Sequence, residues 1–138
     1  MNKNLEDAKE LLLKEGYTCV IKNEDDIYMS SERGVGFILK CVKEEKDFTG
    51  YCVADKVVGK AAAFLYVLLK IDIIYAGVIS EPAKKVLEQY NIEVCYDKIV
   101  KAIRNRTDTG FCPMETAVWD IDNPYEAVVA IENKRGEK

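Results

Sequence analysis

The stretch Tyr51-Cys-Val-Ala-Asp-Lys-Val-Val-Gly-Lys-Ala-Ala-Ala-Phe-Leu-Tyr-Val-Leu-Leu-Lys70 decides the reading of the fold. Residues 51–54 read as a short strand. From Val57 onward, Val57, Val58, Ala61, Ala62, Phe64, Leu65, Leu68 and Leu69 leave almost no polar face, which predicts a buried helix. Between them, Ala54-Asp-Lys-Val-Val-Gly-Lys60 is where charged residues punctuate the apolar run. In an open α/β sheet, ligands bind at the carboxyl end of a strand, where the next helix starts. A site is therefore expected there.

Upstream, Asn4 ahead of Leu5-Glu6-Asp7 predicts a helix start, with Leu5, Ala8, Leu11 and Leu12 as its apolar stripe and Gly16 as its stop. Thr18–Lys22 and Asp26–Ser30 flank a polar turn and predict an antiparallel hairpin. Ser31-Glu-Arg-Gly-Val-Gly36 is read as a loop opening a second helix over 35–44, its glycines serving backbone geometry. Downstream, Asp72–Ile79 is continuously apolar, the pattern of a strand covered on both faces of a parallel sheet. Ser80 and Pro82 predict a helix to about Tyr90, and Ile92–Tyr96 a further strand. Asp97–Ile103 reads as one or two helical turns, Arg104–Gly110 as an irregular loop and Pro113–Ile121 as a short helix. Asn123, Pro124 and Glu126 open the last helix. The expectation is one domain, globular over 1–132, with a polar tail over 133–138.

The totals limit what such a domain does. The 138 residues carry a formal charge of -4, so general electrostatic attraction to nucleic acid or to an anionic membrane is not expected. The charged N-terminus lacks a signal-peptide core and no apolar run is long enough to span a bilayer, which predicts a soluble, cytoplasmic protein. The five cysteines (Cys19, Cys41, Cys52, Cys95 and Cys112) are scattered, and four lie in apolar segments where buried free thiols are common. There is no histidine. The commonest general base near neutral pH and the commonest metal ligand are thus missing, so no metal site and no cofactor are expected.

A hairpin followed by alternating helices and parallel strands is similar to the cytidine-deaminase-like fold. The phrases Ala54–Ala63, Ile103-Arg-Asn-Arg-Thr107 and Gly110-Phe-Cys-Pro-Met-Glu115 resemble those of an uncharacterised prokaryotic family known only as a domain of unknown function. That resemblance covers nearly the whole chain. It implies a deaminase-like, three-layer α/β/α sandwich whose mixed sheet has an N-terminal antiparallel hairpin followed by parallel strands. Zinc deaminases carry a His-x-Glu or Cys-x-Glu at the second helix and Pro-Cys-x-x-Cys at the third. Here those helices start with Arg33-Gly-Val-Gly36 and Asp55-Lys-Val-Val-Gly-Lys60, which supply no such ligands. The resemblance implies the scaffold and its pocket without zinc-dependent deamination.

Candidate site residues follow from charge and position. Asp55 is expected to cap the buried helix. Lys56 and Lys60 oppose the dipole at the start of that helix, which calls for a nearby anion, either a ligand or an internal acid. Gly59 would let a ligand or a neighbouring backbone come close. Arg104, Asn105 and Arg106 suit bidentate anion recognition and can reach the same sheet edge. Cys112 stands before Pro113 at a helix start, where a thiolate is favoured, and Glu115 is placed to bond back to the Cys112 amide.

Three readings result. The first is a zinc-independent domain that binds a small anionic or nucleotide-like ligand at the Asp55–Lys60 edge. The second is a cysteine-dependent enzyme or redox sensor at Cys112. The third is a non-catalytic dimerisation or regulatory domain, a homodimer included, in which the two lysines are internal partners.

Overall fold

A computed structural model describes residues 3–32, 34–104, 110 and 112–136. The order is α1 (Lys3–Glu15), β1 (Cys19–Asn23), β2 (Asp26–Ser30), α2 (Gly36–Lys43), β3 (Cys52–Val58), α3 (Lys60–Leu69), β4 (Ile73–Ser80), α4 (Glu81–Gln89), β5 (Glu93–Val100), α5 (Pro113–Ala117) and α6 (Pro124–Arg135). The five strands form one open mixed sheet in the order β2-β1-β3-β4-β5. The β1–β2 and β1–β3 pairs are antiparallel, whereas β3–β4 and β4–β5 are parallel.

Both faces of the sheet are covered. On one, Leu5, Ala8 and Leu12 of α1 bury against Val20, Cys52, Ala54 and Tyr75. On the other, residues of α2, α3, α4 and α6 enclose the larger core around Phe64, Leu65, Leu69 and Ile74. Helix α3 is buried almost all round, as its composition predicts, and β4 is buried over most of its length. Local signals place the helix ends. Gly16 adopts φ +76 after α1, the Ser80 side chain accepts from the Ala83 amide to cap α4, and Asn123 accepts from Tyr125 and Glu126 to cap α6. Asn4 lies inside α1 and does not cap it. Its Oδ1 accepts from the Glu24 amide and from Lys22 Nζ, each at 3.0 Å, and so pins the hairpin turn to the helix.

Three expectations are corrected. The strand read at 51–54 continues to Val58, so Asp55, Lys56, Val57 and Val58 are strand residues and α3 starts at Lys60 with Gly59 as its N-cap. Two consecutive valines favour the pleated conformation, and the full length of β3 is held by the β4 ladder. Residues 97–100 continue strand β5 rather than turning into helix, because β5 stays in parallel register with β4 from Glu93 to Val100. As the edge strand β5 is largely exposed, and Cys95 is exposed with it rather than buried. The last helix runs through Glu132 to Arg135, and Lys43 pairs with Glu132 at 3.1 Å.

The parallel strands bend in the middle. Val53 and Val58 enter the same core cluster, as do Ala76 and Ile79, although strict alternation would send the members of each pair to opposite faces. The β3–β4 ladder skips Lys56 and Gly77 at that level. A Cβ on Gly77 would lie 2.7 Å from the Lys56 carbonyl oxygen, so only glycine fits the bend. The bend turns Val57 outward, 47% exposed, and brings the strand ends to the starts of α3 and α4.

Candidate functional site

Glu115 lies at the centre of the carboxyl edge of the sheet. It sits in the five-residue α5, is 1% exposed, and sends its carboxylate to the beginning of α3 rather than back to Cys112. Oε1 accepts the Lys60 amide at 2.8 Å and the Ser80 hydroxyl at 2.5 Å, and Oε2 accepts the Ile103 amide. Those donors come from the start of α3, the cap of α4 and the chain just after β5. The first amides of a helix have no partner within it. Here the chain's own carboxylate supplies one, on the side of the dipole that favours negative charge. The Cys112 amide, which was expected to pair with Glu115, donates to the Ile103 carbonyl at 2.9 Å instead.

Lys60 is held to α5 and its following turn from two directions. Besides its amide bond to Glu115, its Nζ donates to the Trp119 carbonyl at 2.6 Å, and the residue is 8% exposed. Gly59, at φ -95, needs no unusual backbone angle. A Cβ there would stand 3.2 Å from Ile103 Cγ1 and 3.4 Å from Glu115 Oε1, so its missing side chain serves the seating of Glu115. The Lys60 ammonium thus bonds a backbone carbonyl and forms no ion pair among the described residues, while the acid at the α3 start, Glu115, meets the Lys60 amide.

Asp55 belongs to a separate cluster, beneath α3. It is paired across the β1–β3 ladder with Cys19, and Tyr66 of α3 reaches down to both. The Tyr66 hydroxyl donates to Asp55 Oδ2 at 2.6 Å and lies 3.2 Å from Cys19 Sγ, while the Val57 amide donates to Asp55 Oδ1 at 3.2 Å. Burial pushes the Asp55 carboxyl up to about 7; the bonds from Tyr66 and from the Val57 and Lys56 amides pull it down. Burial likewise raises the Cys19 thiol and the Tyr66 hydroxyl.

The other predicted residues do not assemble with these. Lys56 is exposed, and its ammonium makes no hydrogen bond or ion pair among the described residues. Arg104 is exposed after β5, whereas Asn105 and Arg106 lie outside the described residues, as does Arg33 of the loop before α2. Cys112 is half-buried at the start of α5 and makes no side-chain cap bond. Among the described residues no three Cys, Asp or Glu side chains converge as a metal site. A concavity of about 660 Å³ opens at the opposite end of the sheet, lined by Lys70, Asp72, Tyr90 and Glu93 among others, remote from the Glu115 cluster. No helix among the described residues is long and apolar enough to cross a membrane.

Over residues 7–135 the sequence matches the model of TM1506, the domain of unknown function DUF1893. The chain belongs to the DUF1893 family. The crystal structure of a DUF1893 family protein (TM1506) from Thermotoga maritima is similar at 30% identity, with a TM-score of 0.89 over 97% of this chain and 92% of that one. No curated protein matches. In this chain two buried acids, Glu115 and Asp55, lie on either side of α3's first turns. Glu115 was visible in the sequence only as a first-turn acid, and the Asp55–Tyr66 pair had no signal beyond a charged residue in an apolar run.

The raised Asp55 carboxyl links folding to pH. Its folded value of about 7 lies above the unfolded value near 3.9, so the native state binds the proton more tightly. The Asp55 contribution is fully present below about pH 4 and is lost as pH rises towards 7. At about 1.4 kcal/mol per pKa unit, the loss is on the order of a few kcal/mol. Urea unfolding of the wild type and of Asp55→Asn across pH 4–7.5 checks this: the wild type is expected to lose stability relative to the variant as pH rises, and a constant difference would contradict it.

Proposed function

We propose that this chain is a zinc-independent domain of the cytidine-deaminase-like class that works by binding rather than by turnover. The observation carrying this reading is the Glu115 carboxylate seated on the α3 start, with the Lys60 ammonium committed to the Trp119 carbonyl. A ligand at that helix start would have to displace a buried acid that already satisfies three donors. The element order supports the deaminase-like assignment, as a hairpin and then alternating helices and parallel strands give a sheet ordered β2-β1-β3-β4-β5. Glu115 holds three segments together in this reading and handles no substrate proton. Glu115→Gln places an amide donor against hydroxyl and amide donors, and the expected cost is about 1–3 kcal/mol of stability. Thermal melting measures that loss, with ammonia release from cytidine and adenosine followed alongside. Ammonia release that disappears in Glu115→Gln at an unchanged melting temperature would overturn the reading.

A second reading keeps a small anionic or nucleotide-like ligand, moved outward from Lys60. It is favoured by Lys56, a lysine on β3 whose ammonium is exposed and without a partner among the described residues. Arg104, Asn105 and Arg106 would complete such a site. Inorganic phosphate or adenosine monophosphate is then expected to raise the melting temperature of the wild type but not of Lys56→Ala. An equal rise in both proteins, or none in either, would remove Lys56 from any ligand site.

A further inference from the structure

The C-terminal part of the chain exposes more apolar surface than its packing uses. Helix α6 contains the run Ala127-Val-Val-Ala-Ile131; Ala127 and Ile131 bury against the core, yet Tyr125 and Val129 on the outer side are 73% and 59% exposed. These two are four residues apart and so form one strip along the helix. Trp119, in the turn before α6, is 45% exposed. Aromatic and branched side chains left in water on one strip are characteristic of a surface that a partner covers.

The charge around the N-terminal half of this strip is one-sided, the bases Lys134 and Arg135 standing at the far end of α6. From Thr107 to Asn133 the sequence has six acids and no lysine or arginine. Glu115 is buried and Glu132 pairs with Lys43, but Asp120, Asp122 and Glu126 are exposed and form no ion pair among the described residues. Glu126 suits the first turn of α6; Asp120 and Asp122 have no such local role. An apolar strip flanked by unpaired acids is complementary to one chemistry, an amphipathic helix with an apolar face and lysine or arginine at its margins.

We propose that the outer face of α6 and the Trp119–Asn123 turn before it dock a basic amphipathic helix of another protein. This deepens the reading of the chain as a binding domain and names the surface that binds. Tyr125, Val129 and Trp119 supply the apolar contact, while Asp120, Asp122 and Glu126 set the sign of the partner's charge. Lys60 reaches the Trp119 carbonyl from the core side and remains buried, so it leaves the outer face acidic.

Trp119 is the only tryptophan in the chain, which provides a direct probe. The full chain is titrated with a tryptophan-free amphipathic helical peptide of leucine and lysine, with a leucine–glutamate peptide as control. The expected result is a saturable blue shift of Trp119 emission with the lysine peptide and none with the glutamate peptide. Tyr125→Ser combined with Val129→Ser is expected to weaken binding ~10-fold or more, and Asp120→Asn with Asp122→Asn to weaken it most at low salt. Both pairs are exposed, so unchanged melting temperatures show that the fold is intact. The proposal is overturned by no shift with the lysine peptide, by equal shifts with both peptides, or by a response that neither variant alters. It is also overturned if the protein alone shows a concentration-dependent blue shift that Tyr125→Ser with Val129→Ser abolishes, because a second copy then occupies the face. Failure here with no ammonia release leaves the non-catalytic reading standing; ammonia release dependent on Glu115 removes that reading whatever the peptide does.

Discussion

The carboxyl edge of the sheet depends on one buried carboxylate. A parallel sheet delivers each strand into a helix start, and each helix start presents amides with no partner of their own. Glu115 satisfies the Lys60 amide, the Ser80 hydroxyl and the Ile103 amide together. It thereby ties the β3–α3, β4–α4 and β5–α5 junctions to a single point. Buried donors left without an acceptor cost about 1–3 kcal/mol each. Gly59 completes the arrangement by leaving room for the carboxylate, and Lys60 fastens the turn after α5 through the Trp119 carbonyl.

Two buried acids flank the beginning of α3, and their surroundings differ in kind. Glu115 meets only donors, drawn from segments far apart in the chain. Asp55 meets a hydroxyl, a thiol beyond it and backbone amides, under a helix that excludes water. Desolvation dominates there, so Asp55 keeps its proton to near neutral pH. Neither acid faces a cation on its carboxylate oxygens among the described contacts. The charged entrance to α3 thus divides into a fastening at the sheet edge and a polar pair inside the core.

What was legible in the sequence was local. The hairpin, the continuously apolar β4, the Ser80–Pro82 start of α4 and the Asn123–Pro124 start of α6 each follow from neighbouring residues, and each is present. The errors arose where tertiary contacts decided the outcome. Val57 and Val58 matched a helical apolar pattern because they precede a truly helical run, with Asp55 read as its cap, yet ladders on both sides hold Asp55 in a strand and the β4 ladder holds Val57 and Val58 there. Asp97–Val100 lacked the apolar density of a strand because β5 is an exposed edge. Glu115 illustrates the limit most plainly: its partners stand 55, 35 and 12 residues away, and no local pattern encodes them. The oddity of a lysine near the α3 start was readable from charge and dipole, but not that a carbonyl 59 residues away holds its ammonium.

The α3 start is closed by the chain's own carboxylate, whereas Trp119, Tyr125 and Val129 stand exposed beside the acids of the C-terminal part. Amide hydrogen exchange at Lys60 and Ile103 tests the central claim most directly. If Glu115 unites the three junctions, both amides exchange in the slow class of the core and lose protection together in Glu115→Ala. Fast exchange of Ile103 in the wild type, or loss of protection at only one of the two amides in the variant, would contradict the account.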